Sequence, residues 1–341
     1  MSTSVKRSYT TRSVQSEYVD ENTLPYPNGW FVIARSVDIR RKQVKTFRVV
    51  GQDIIVYRTE QGIVNVTDPY CPHLGAHFAH GGSVNGEQLI CPFHGFQFRI
   101  DGKCTKTGYG TKPSPRAVLK TWPVCEQNGL ILIYYHQERQ KPDWNVPLLD
   151  MQEWTSMRYQ YFDINDHPQE TTENSVDIGH FAFIHKYTDV MMPNTPIFEN
   201  HYMSTQYSFR KPFPGLLRLL IPNGQKIEIQ THIYGLGYSL VEVWIPGLRY
   251  RLRMWVLPTP IAPQKVRLHL GMAKKKSTSF LLRMFDKLLS RIILIGFIQD
   301  VKQDFKVWQH KIYIPQPALS KGDGPIWEYR QWAQQFYSNP N

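Results

Sequence analysis

Two short cysteine–histidine motifs, separated by seventeen residues, constrain this chain more than any other feature. The first has the form C-x-H and contains Cys71 and His73, and the second has the form C-x-x-H and contains Cys91 and His94. A proline follows each cysteine and stiffens the turn, because its ring fixes φ. Each motif therefore places a thiol and an imidazole on one tight turn, and two such turns at the tip of a β-domain can face each other across a metal centre.

The pairing of one cysteine with one histidine in each motif indicates a [2Fe–2S] cluster in which two histidines replace two cysteines on one iron. This hypothesis assigns Cys71 and Cys91 to one iron, and His73 and His94 to the other. Zinc is the alternative, since two cysteines and two histidines also form a zinc set. Zinc sites usually pair cysteine with cysteine and histidine with histidine, so the mixed spacing favours the cluster.

A second group of candidate ligands lies in Glu173–His185, which contains the pattern D-x-x-H-x-x-x-x-H. We predict a helix over Thr171–His185, on which Asp177 and His180 share a face. His185 lies five residues beyond His180, so its ring must come from a helix end or a break. Two imidazoles and one carboxylate leave open positions on Fe(II), which is the site type for O2 chemistry.

The carboxylate of this second site must come from another part of the chain. A helix predicted over Gln299–His310 offers Asp300 and Asp304, which lie one turn apart on one face. The spacing of residues alone leaves both aspartates open as the third ligand.

The first third of the chain reads as short strands separated by turn signals such as Asn85-Gly86 and Asn128-Gly129, which predicts a small antiparallel β-domain. The strand-like runs are Trp30–Ala34, Lys45–Val50, Asp53–Arg58, Ile63–Thr67, Leu89–Ile90, Gln97–Ile100 and Leu130–Tyr135.

Beyond a polar, proline-containing linker at 136–150, strand-like runs alternate with helical patterns, and 279–312 is predicted to form one long helix or two. The fold class is therefore α+β. We divide the chain into a disordered tail at 1–24, a cluster-binding domain at 25–140 and a catalytic domain at 141–341.

Composition excludes several classes of protein. The chain has 341 residues but only four cysteines, so it is not a disulfide scaffold. Cys104 and Cys125 lack a histidine partner nearby and are expected to be small buried residues. The net charge of +12 attracts acidic partners, while no nucleic-acid motif is evident. No run reaches the roughly 20 apolar residues of a membrane span. We expect a cytoplasmic protein, with organelle targeting through the basic residues at 1–16 as the alternative.

The segment Phe280–Ile298 reads as an amphipathic helix, because charged residues interrupt it. Its apolar stripe consists of Leu281, Met284, Phe285, Leu288, Ile292 and Ile295. The stripe opens a pocket or rests on a bilayer, with Lys274–Lys276 beside anionic headgroups. The alternative is an ordinary helix whose stripe faces the core.

Both motifs together resemble the Rieske non-haem iron oxygenase family from about Pro25 onward. Within it, the chain is most similar to the cholesterol 7-desaturases, and less closely to the bacterial 3-ketosteroid 9α-hydroxylases. The matching segments are Pro27–Phe31, Asp68–His77, Cys91–Phe98, Asp101–Cys104, Trp122–Gly129 and Glu173–His185.

The resemblance implies a Rieske domain followed by a helix-grip catalytic domain with an apolar cavity. It selects Asp304 as the third ligand of the mononuclear iron, because the family places this aspartate four residues before a tryptophan, here Trp308. It assigns Asp177 as a relay of electrons between a cluster-ligating histidine of one subunit and His180 or His185 of the next, which implies a homotrimer.

The implied activity is oxidation of an apolar polycyclic molecule by O2, with electrons from NAD(P)H through a ferredoxin or reductase. Sterol 7,8-desaturation is the first expectation, and hydroxylation of a steroid or isoprenoid is the second. A different class remains open, namely a Rieske electron-transfer protein whose second half only binds a ligand. A zinc-bearing lipid-binding module is a third reading.

Overall fold

A computed structural model describes residues 23–212, 223–277 and 279–338 of the chain. The tail predicted for 1–24 lies outside these residues, apart from its last two positions. None of the helices in the described segments is both long enough and apolar enough to cross a bilayer.

Ten short strands build the N-terminal part, and all of them pair antiparallel in three small sheets. Two sheets have three strands, in the orders β1-β10-β9 and β2-β3-β4, and the third has the order β5-β6-β7-β8. The strands are β1 (Gly29–Arg35), β2 (Val44–Val49), β3 (Gln52–Arg58), β4 (Val64–Thr67), β5 (Ser83–Asn85), β6 (Gln88–Ile90), β7 (Gln97–Phe98), β8 (Cys104–Lys106), β9 (Val124–Gln127) and β10 (Leu130–Tyr135).

Each of the seven predicted strands is present, although β7 is shorter than predicted, and β5, β8 and β9 were not predicted. These three strands have only three or four residues each, too few for a visible alternation of apolar and polar positions. Cys104 and Cys125, which were expected to be buried, are only half-buried, because they lie on β8 and β9 with one side toward solvent.

One large antiparallel sheet forms the centre of the C-terminal part. Its order is β11-β18-β17-β16-β15-β14-β12, with β13 paired to β14 at the same edge as β12. The strands are β11 (Arg158–Ile164), β12 (Thr188–Met191), β13 (Ile197–Glu199), β14 (Tyr202–Lys211), β15 (Gln225–Tyr234), β16 (Tyr238–Ile245), β17 (Tyr250–Ala262) and β18 (Lys265–Lys274).

Within the described residues, four helices accompany this sheet: α1 (Pro168–Glu173), α2 (Gly179–Phe183), α3 (Phe280–Trp308) and α4 (Ile326–Ala333). The single helix α3 spans most of the region where one helix or two were predicted. It packs on β18, whose alternate residues Val266, Leu268 and Leu270 face Ile298 and Phe305 of the helix. The α+β fold class is confirmed, with one long helix lying across a sheet.

The helix predicted over Thr171–His185 is wrong in part, since the segment forms α1 and α2 with a break at 174–178. Asp177 lies in that break and its Oδ1 accepts a hydrogen bond from the backbone N–H of His180, at 3.2 Å. An aspartate that bonds the nearby backbone competes with a continuous helix. His185 follows the end of α2, as the five-residue spacing required.

The segment 136–150 connects the two parts without regular structure, but it is not a loose linker. Trp144 and Val146 are buried in a cluster that also contains Trp30 of β1 and Trp255 of β17. The indole N–H of Trp30 donates to the backbone oxygen of Trp144 at 2.8 Å. One hydrophobic core therefore joins the two parts on the face of the large sheet opposite α3.

The apolar stripe of α3 does not face the core. Met284, Phe285, Leu288, Ile292 and Ile295 are between 50% and 69% exposed, and the side chain of Leu281 lies outside the described part of the structure. The expected lipid contact by Lys274 is wrong for a clear reason. Lys274 is buried and its Nζ lies 2.8 Å from Oδ1 of Asp286, so this lysine anchors α3 to the sheet.

Candidate metal centres

The two cysteine–histidine motifs form a pair of similar loops. In the first, the N–H of Cys71 donates to the carbonyl of Ala76, and in the second the N–H of Cys91 donates to the carbonyl of Phe96, both at 2.8 Å. The imidazoles of His73 and His94 meet at the tips, with ring centroids 4.9 Å apart. The fold thus brings the two histidines together, and it places the thiols of Cys71 and Cys91 within hydrogen-bonding distance of each other.

Glycines make these loops tight. Gly75 and Gly95 occupy equivalent positions with φ of +75° and +65°, a conformation that is strained for residues with a side chain. The N–H of Gly108 donates to the carbonyl of His94, and a β-carbon at Gly108 would lie only 2.1 Å from that oxygen. The second loop therefore depends on the backbone segment around Gly108, which passes close behind His94.

The four loop side chains suit a cluster better than a single ion. In the described part of the chain, the one set of three or more His, Cys, Asp or Glu whose ligand atoms lie within 4.8 Å of one another is His180, His185 and Asp304. The loop ligands are therefore spread more widely than the tetrahedral sphere of one zinc ion allows. Nδ1 of His94 is buried without a hydrogen-bond partner, as expected of an atom that would coordinate a cluster iron.

The second group of ligands is built from three separate places in the fold. His180 lies in α2, His185 follows the end of α2, and Asp304 lies on α3. The side chains of all three are at most 6% exposed. Nε2 of His185 lies 3.4 Å from Oδ1 of Asp304. The helix break thus turns His185 toward the same point as His180, and α3 closes the group from the opposite side.

Asp177 fixes the orientation of His180. Nδ1 of His180 donates to the backbone carbonyl of Asp177 at 2.6 Å and lies 3.7 Å from its carboxylate, which leaves Nε2 to face the other ligands. Burial opposes ionisation of Asp177, but the hydrogen bond and charge of His180 outweigh it and lower the pKa of the carboxyl. Asp177 is thus an anion, 35% exposed, placed directly behind a candidate ligand.

One carboxylate oxygen of these three residues is left without a hydrogen bond, which is costly unless a cation binds there. Oδ1 of Asp304 is buried, and it faces Nε2 of His185 at 3.4 Å without accepting a hydrogen bond. Burial raises the pKa of Asp304 to about 7 and lowers the pKa of His185 to about 4. Two imidazoles and a carboxylate in need of a positive charge fit Fe(II), so the residues present agree with the implied metal.

The structure separates the two aspartates that sequence spacing left open. Asp300 forms an ion pair with Lys211 of β14, whereas Asp304 faces the two histidines. This arrangement agrees with the choice of Asp304 that followed from the family pattern.

A cavity of about 430 Å³ lies between α3 and the large sheet. Its wall contains His180, His185 and Asp304, which we call the metal group. Most of its lining is aliphatic or aromatic, for example Ile227, Val241, Met254, Ile293 and Phe297. A cavity of this size and lining suits an apolar small molecule, since ligand sites of about 300–1,000 Å³ are typical.

Several polar residues of the cavity were missed from the sequence, and three of them lie close to the histidines or to α3: Asn174, Tyr187 and Lys211. The amide nitrogen of Asn174 lies 3.3 Å from Nε2 of His180. The ring of Tyr187 stacks on that of His185, with centroids 5.1 Å apart. Tyr187 and Asn174 flank the histidine pattern closely, so proximity in sequence was an available signal. Lys211 gave none, because only the sheet brings β14 next to α3.

Comparison with known protein families assigns both halves of the chain. Residues 29–123 match the family described as Rieske [2Fe-2S] domain. Residues 133–337 match the family described as 3-ketosteroid 9alpha-hydroxylase C-terminal domain.

Curated relatives are similar over nearly the whole chain. The cholesterol 7-desaturase of Xenopus laevis is 32% identical, over 92% of this chain and 72% of the relative. A probable 3-ketosteroid-9-alpha-monooxygenase oxygenase component of Rhodococcus rhodochrous is 28% identical, over 95% of this chain and 83% of the relative.

Solved structures share the fold at lower identity. Dicamba monooxygenase bound to dicamba superposes with a TM-score of 0.66 and 16% identity, covering 91% of this chain and 97% of that one. Pseudomonas putida CBB5 NdmA with caffeine gives a TM-score of 0.68 and 20% identity, covering 89% of each chain. With two domain families matched and relatives aligned across both, the chain belongs to the Rieske non-haem iron oxygenases, enzymes with a [2Fe–2S] cluster and a mononuclear iron.

Proposed function

We propose that this oxygenase oxidises a planar, apolar polycyclic molecule, with sterol 7,8-desaturation as the reaction. The observation that carries the proposal is the apolar cavity in whose wall His180, His185 and Asp304 stand together. The relatives named cholesterol 7-desaturase favour desaturation. Hydroxylation of a steroid is the second candidate, because the C-terminal half matches a family named for 9α-hydroxylation of 3-ketosteroids.

The residues divide into two ligand sets under this proposal. Cys71 and Cys91 hold one iron of the cluster, and His73 and His94 hold the other. The mononuclear iron is held by His180, His185 and Asp304. Bound at these residues, the two centres supply one-electron transfer and the reduction of O2.

The two candidate reactions consume the same inputs, namely O2, two electrons and two protons. Hydroxylation replaces one C–H bond by a C–O–H group and releases one water. Desaturation removes two hydrogen atoms from neighbouring carbons and releases two waters. The cavity contributes by excluding water and by holding the oxidised carbon against the metal group.

We also propose that electrons pass between subunits of a homotrimer through Asp177. Large apolar side chains surround the cluster loops, where Leu74, Phe93 and Tyr109 are between 58% and 67% exposed. Exposed apolar groups of this kind favour burial against another surface. The carboxylate of Asp177 is itself partly exposed, so it is accessible to a histidine of a second subunit. A carboxylate between two imidazoles fixes their tautomers and raises their basicity.

Electrons reach the cluster from an external redox partner, a ferredoxin or its reductase, which we propose to be acidic. The chain has a net charge of +12, and the stretch that passes behind His94 adds a cluster of exposed basic residues. These residues are Lys103, Lys106, Lys112 and Arg116. Opposite charges speed the encounter of the two proteins and make its rate dependent on salt.

A weak peripheral contact with a membrane completes the proposal. The exposed stripe of α3 alternates with Arg283, Lys287 and Arg291, which are also exposed, while Asp286 is buried in its pair with Lys274. An apolar stripe beside basic residues suits a bilayer with anionic headgroups. The same helix lines the cavity with Ile293, Gly296 and Phe297, so an apolar substrate dissolved in the bilayer would have a short path.

Product analysis tests the reaction. Purified enzyme with iron, a ferredoxin and a reductase is incubated separately with cholesterol and with a 3-ketosteroid. The masses of the products are then measured by mass spectrometry. Loss of two hydrogens from cholesterol supports desaturation, and gain of one oxygen by the 3-ketosteroid supports the second candidate. Failure of both classes of polycycle to react would contradict the proposed substrate class.

His180→Ala tests the site. The substitution removes an iron ligand but leaves the cluster loops untouched, so turnover should vanish while the visible spectrum of the cluster persists. An active His180→Ala variant would contradict the assignment of the mononuclear site. Absence of a cluster spectrum from the wild-type protein would contradict the assignment of the two cysteine–histidine motifs to a cluster.

A further inference from the structure

The cavity contains one charged pair whose presence the metal group does not explain. Among the described residues that line it, the charged side chains outside His180, His185 and Asp304 are Lys211 and Asp300, and they contact each other. The rest of the lining is mostly apolar, so a lysine and an aspartate at this place require a reason.

Stability is a poor reason for the pair. The side chains of Lys211 and Asp300 are 36% and 26% exposed, and partly exposed ion pairs usually contribute only about 0–1 kcal/mol. The two residues also come from separate elements that both line the cavity, β14 and α3. The pair therefore links the sheet to the helix at the wall of the cavity.

The pair has a fixed relation to the metal group. Asp300 lies four residues before Asp304 on α3, so the two carboxylates share a helix face and are separated by about 6 Å along the axis. Tyr187, which stacks on His185, also faces the pair, since Nζ of Lys211 lies 5.9 Å from the centroid of its ring. A molecule that touches both the pair and the metal group is thus gripped at two points about one helical turn apart.

We propose that Lys211 and Asp300 are the polar anchor of the cavity and bind an oxygen substituent on the otherwise apolar polycyclic substrate. The carboxylate of Asp300 accepts a hydrogen bond from a hydroxyl, and the ammonium of Lys211 donates to a hydroxyl or a carbonyl oxygen. The inference rests on the proposed substrate class, and it adds which residues select the substrate and set its orientation.

The spacing determines which carbon is oxidised. With the oxygen held at the pair and the reacting carbon at the metal group, the two are separated by roughly 6 Å, the rise of one helical turn. That distance places the substituted carbon and the oxidised carbon in the same ring or in neighbouring rings. A molecule that lacks the oxygen loses this constraint.

Binding of matched ligands tests the anchor without requiring turnover. Iron-loaded protein is titrated in a calorimeter, without O2, with a 3-hydroxysterol and with its 3-deoxy analogue. Hydrogen bonds to charged groups are worth about 1.5–3 kcal/mol, so wild type should bind the hydroxylated sterol roughly 10- to 100-fold more tightly. Asp300→Asn and Lys211→Met should lose most of this preference, while affinity for the deoxy analogue stays within about threefold.

Matched controls separate the anchor from general effects of charge. Lys226→Met removes a lysine from the exposed Lys226–Glu228 pair on β15, outside the cavity lining, and should leave the preference unchanged. Lys211→Arg retains the cation and should restore part of the preference. Iron content and the unfolding temperature establish that each variant is folded.

The outcomes distinguish the anchor from the proposed function. Equal binding of the hydroxylated and deoxy sterols by wild type would overturn the anchor and leave the substrate class standing. The same holds if Asp300→Asn and Lys211→Met weaken both ligands equally. If neither of the two sterols binds, and a 3-ketosteroid does not bind either, the substrate class and the anchor are overturned together.

Discussion

Four aspartates of this chain have the same side chain but different properties, because their surroundings differ. Asp177 is ionised behind His180, Asp304 faces two histidines, and Asp300 forms an ion pair with Lys211. Asp166 is buried beside Thr171, whose hydroxyl donates to it at 2.7 Å, and its other oxygen has no partner. The contacts of each carboxylate, rather than its position in the sequence, determine what it does.

Asp166 gives a prediction about stability and pH. Burial raises its pKa to about 7, against an ordinary value near 3.9 in the unfolded chain. The folded state therefore binds the proton more tightly, and stability is lost as pH rises from about 4 to about 7, by on the order of 4 kcal/mol. Asp166→Asn should flatten this decline and raise the unfolding temperature at about pH 8, measured by calorimetry.

Asp163 provides the control for Asp166. Hydrogen bonds from Arg267 lower the pKa of its carboxyl, so above about pH 5 Asp163 is ionised in both the folded and the unfolded states. Asp163→Asn should therefore leave the slope of unfolding temperature against pH unchanged between about pH 5 and about pH 8. If Asp166→Asn keeps the wild-type slope, the carboxyl of Asp166 is not responsible for it.

At the scale of residues, sequence reasoning named the candidate ligands but not the contacts that each of them makes. Spacing brought together the loop cysteines and histidines, since each pair lies within one turn. It could not choose between Asp300 and Asp304, which share a helix face, because the partner that distinguishes them, Lys211, is about ninety residues away. Only the resemblance to a family made that choice in advance.

At the scale of elements, the second cluster loop depends on the backbone behind it. Gly108→Ala would place a methyl group 2.1 Å from the carbonyl of His94, so one of the two must move. We expect lower occupancy of the cluster, measured as acid-labile sulfide per chain and as visible absorbance. Gly296→Ala is the control, since a β-carbon there meets nothing within 4 Å, and it should keep the cluster. Full sulfide content in Gly108→Ala would show that the loop tolerates the displacement.

The helix break shows where local patterns stop being informative. Residues 174–178 contain no proline or glycine, although Gly179 follows them directly, and the five-residue spacing of the histidines indicated a break without locating it. The side chain of Asp177 bonds the backbone of His180, and the carbonyl of Ser175 accepts from the hydroxyl of Thr205 on β14 at 3.0 Å. The second contact is a tertiary interaction, which no local pattern contains.

The exposed stripe of α3 gives a prediction at the same scale. Flotation with vesicles that contain anionic lipid should recover part of the wild-type protein, and much less of a Leu288→Ser, Ile292→Ser double variant, because apolar burial drives insertion of the stripe. Replacing Arg283, Lys287 and Arg291 by glutamine should reduce recovery mainly at low salt, since that contribution is electrostatic. Equal recovery of wild type and both variants would contradict the membrane contact. Lys274 is unsuitable for this test, because it is buried against Asp286.

At the scale of the molecule, the two matched families share one core. Trp30, Leu132, Trp255 and Leu257 pack in a single cluster, so the cluster-binding part is fixed on the outer face of the large sheet. The metal group and cavity lie on the other face, under α3. A layer of sheet thus stands between the two parts of one chain, which agrees with electron transfer between neighbouring subunits.

Mixed oligomers test transfer between subunits. Cys71→Ser removes a proposed cluster ligand and His180→Ala removes a proposed iron ligand, so each variant alone should be inactive. Co-expression of the two should restore part of the activity, because an intact cluster in one subunit can serve an intact iron in the next. The control is co-expression of His180→Ala with Cys71→Ser,Asp177→Ala, which removes the relay from the only subunits with an intact iron site. Absence of recovery in the first mixture, with mixed oligomers present, would contradict the relay.

The strands and helices were more predictable from the sequence than the way in which they pack together. Alternating runs and turn signals identified the small β-domain, and the long periodic segment identified α3. The packing of Trp144 into the shared core was not foreseen, because the segment 136–150 is polar and contains prolines, as linkers do. Contacts between residues far apart in sequence, such as Trp30 with Trp144, determine how the parts sit together and leave no local pattern.

The central claim is that one chain holds two different iron centres. The most direct measurement is the content of iron, zinc and acid-labile sulfide per chain, in wild type and in His180→Ala. We predict about three irons and two sulfides in wild type, about two irons and two sulfides in His180→Ala, and no stoichiometric zinc. Stoichiometric zinc without sulfide, or an iron content that His180→Ala leaves unchanged, would contradict the account.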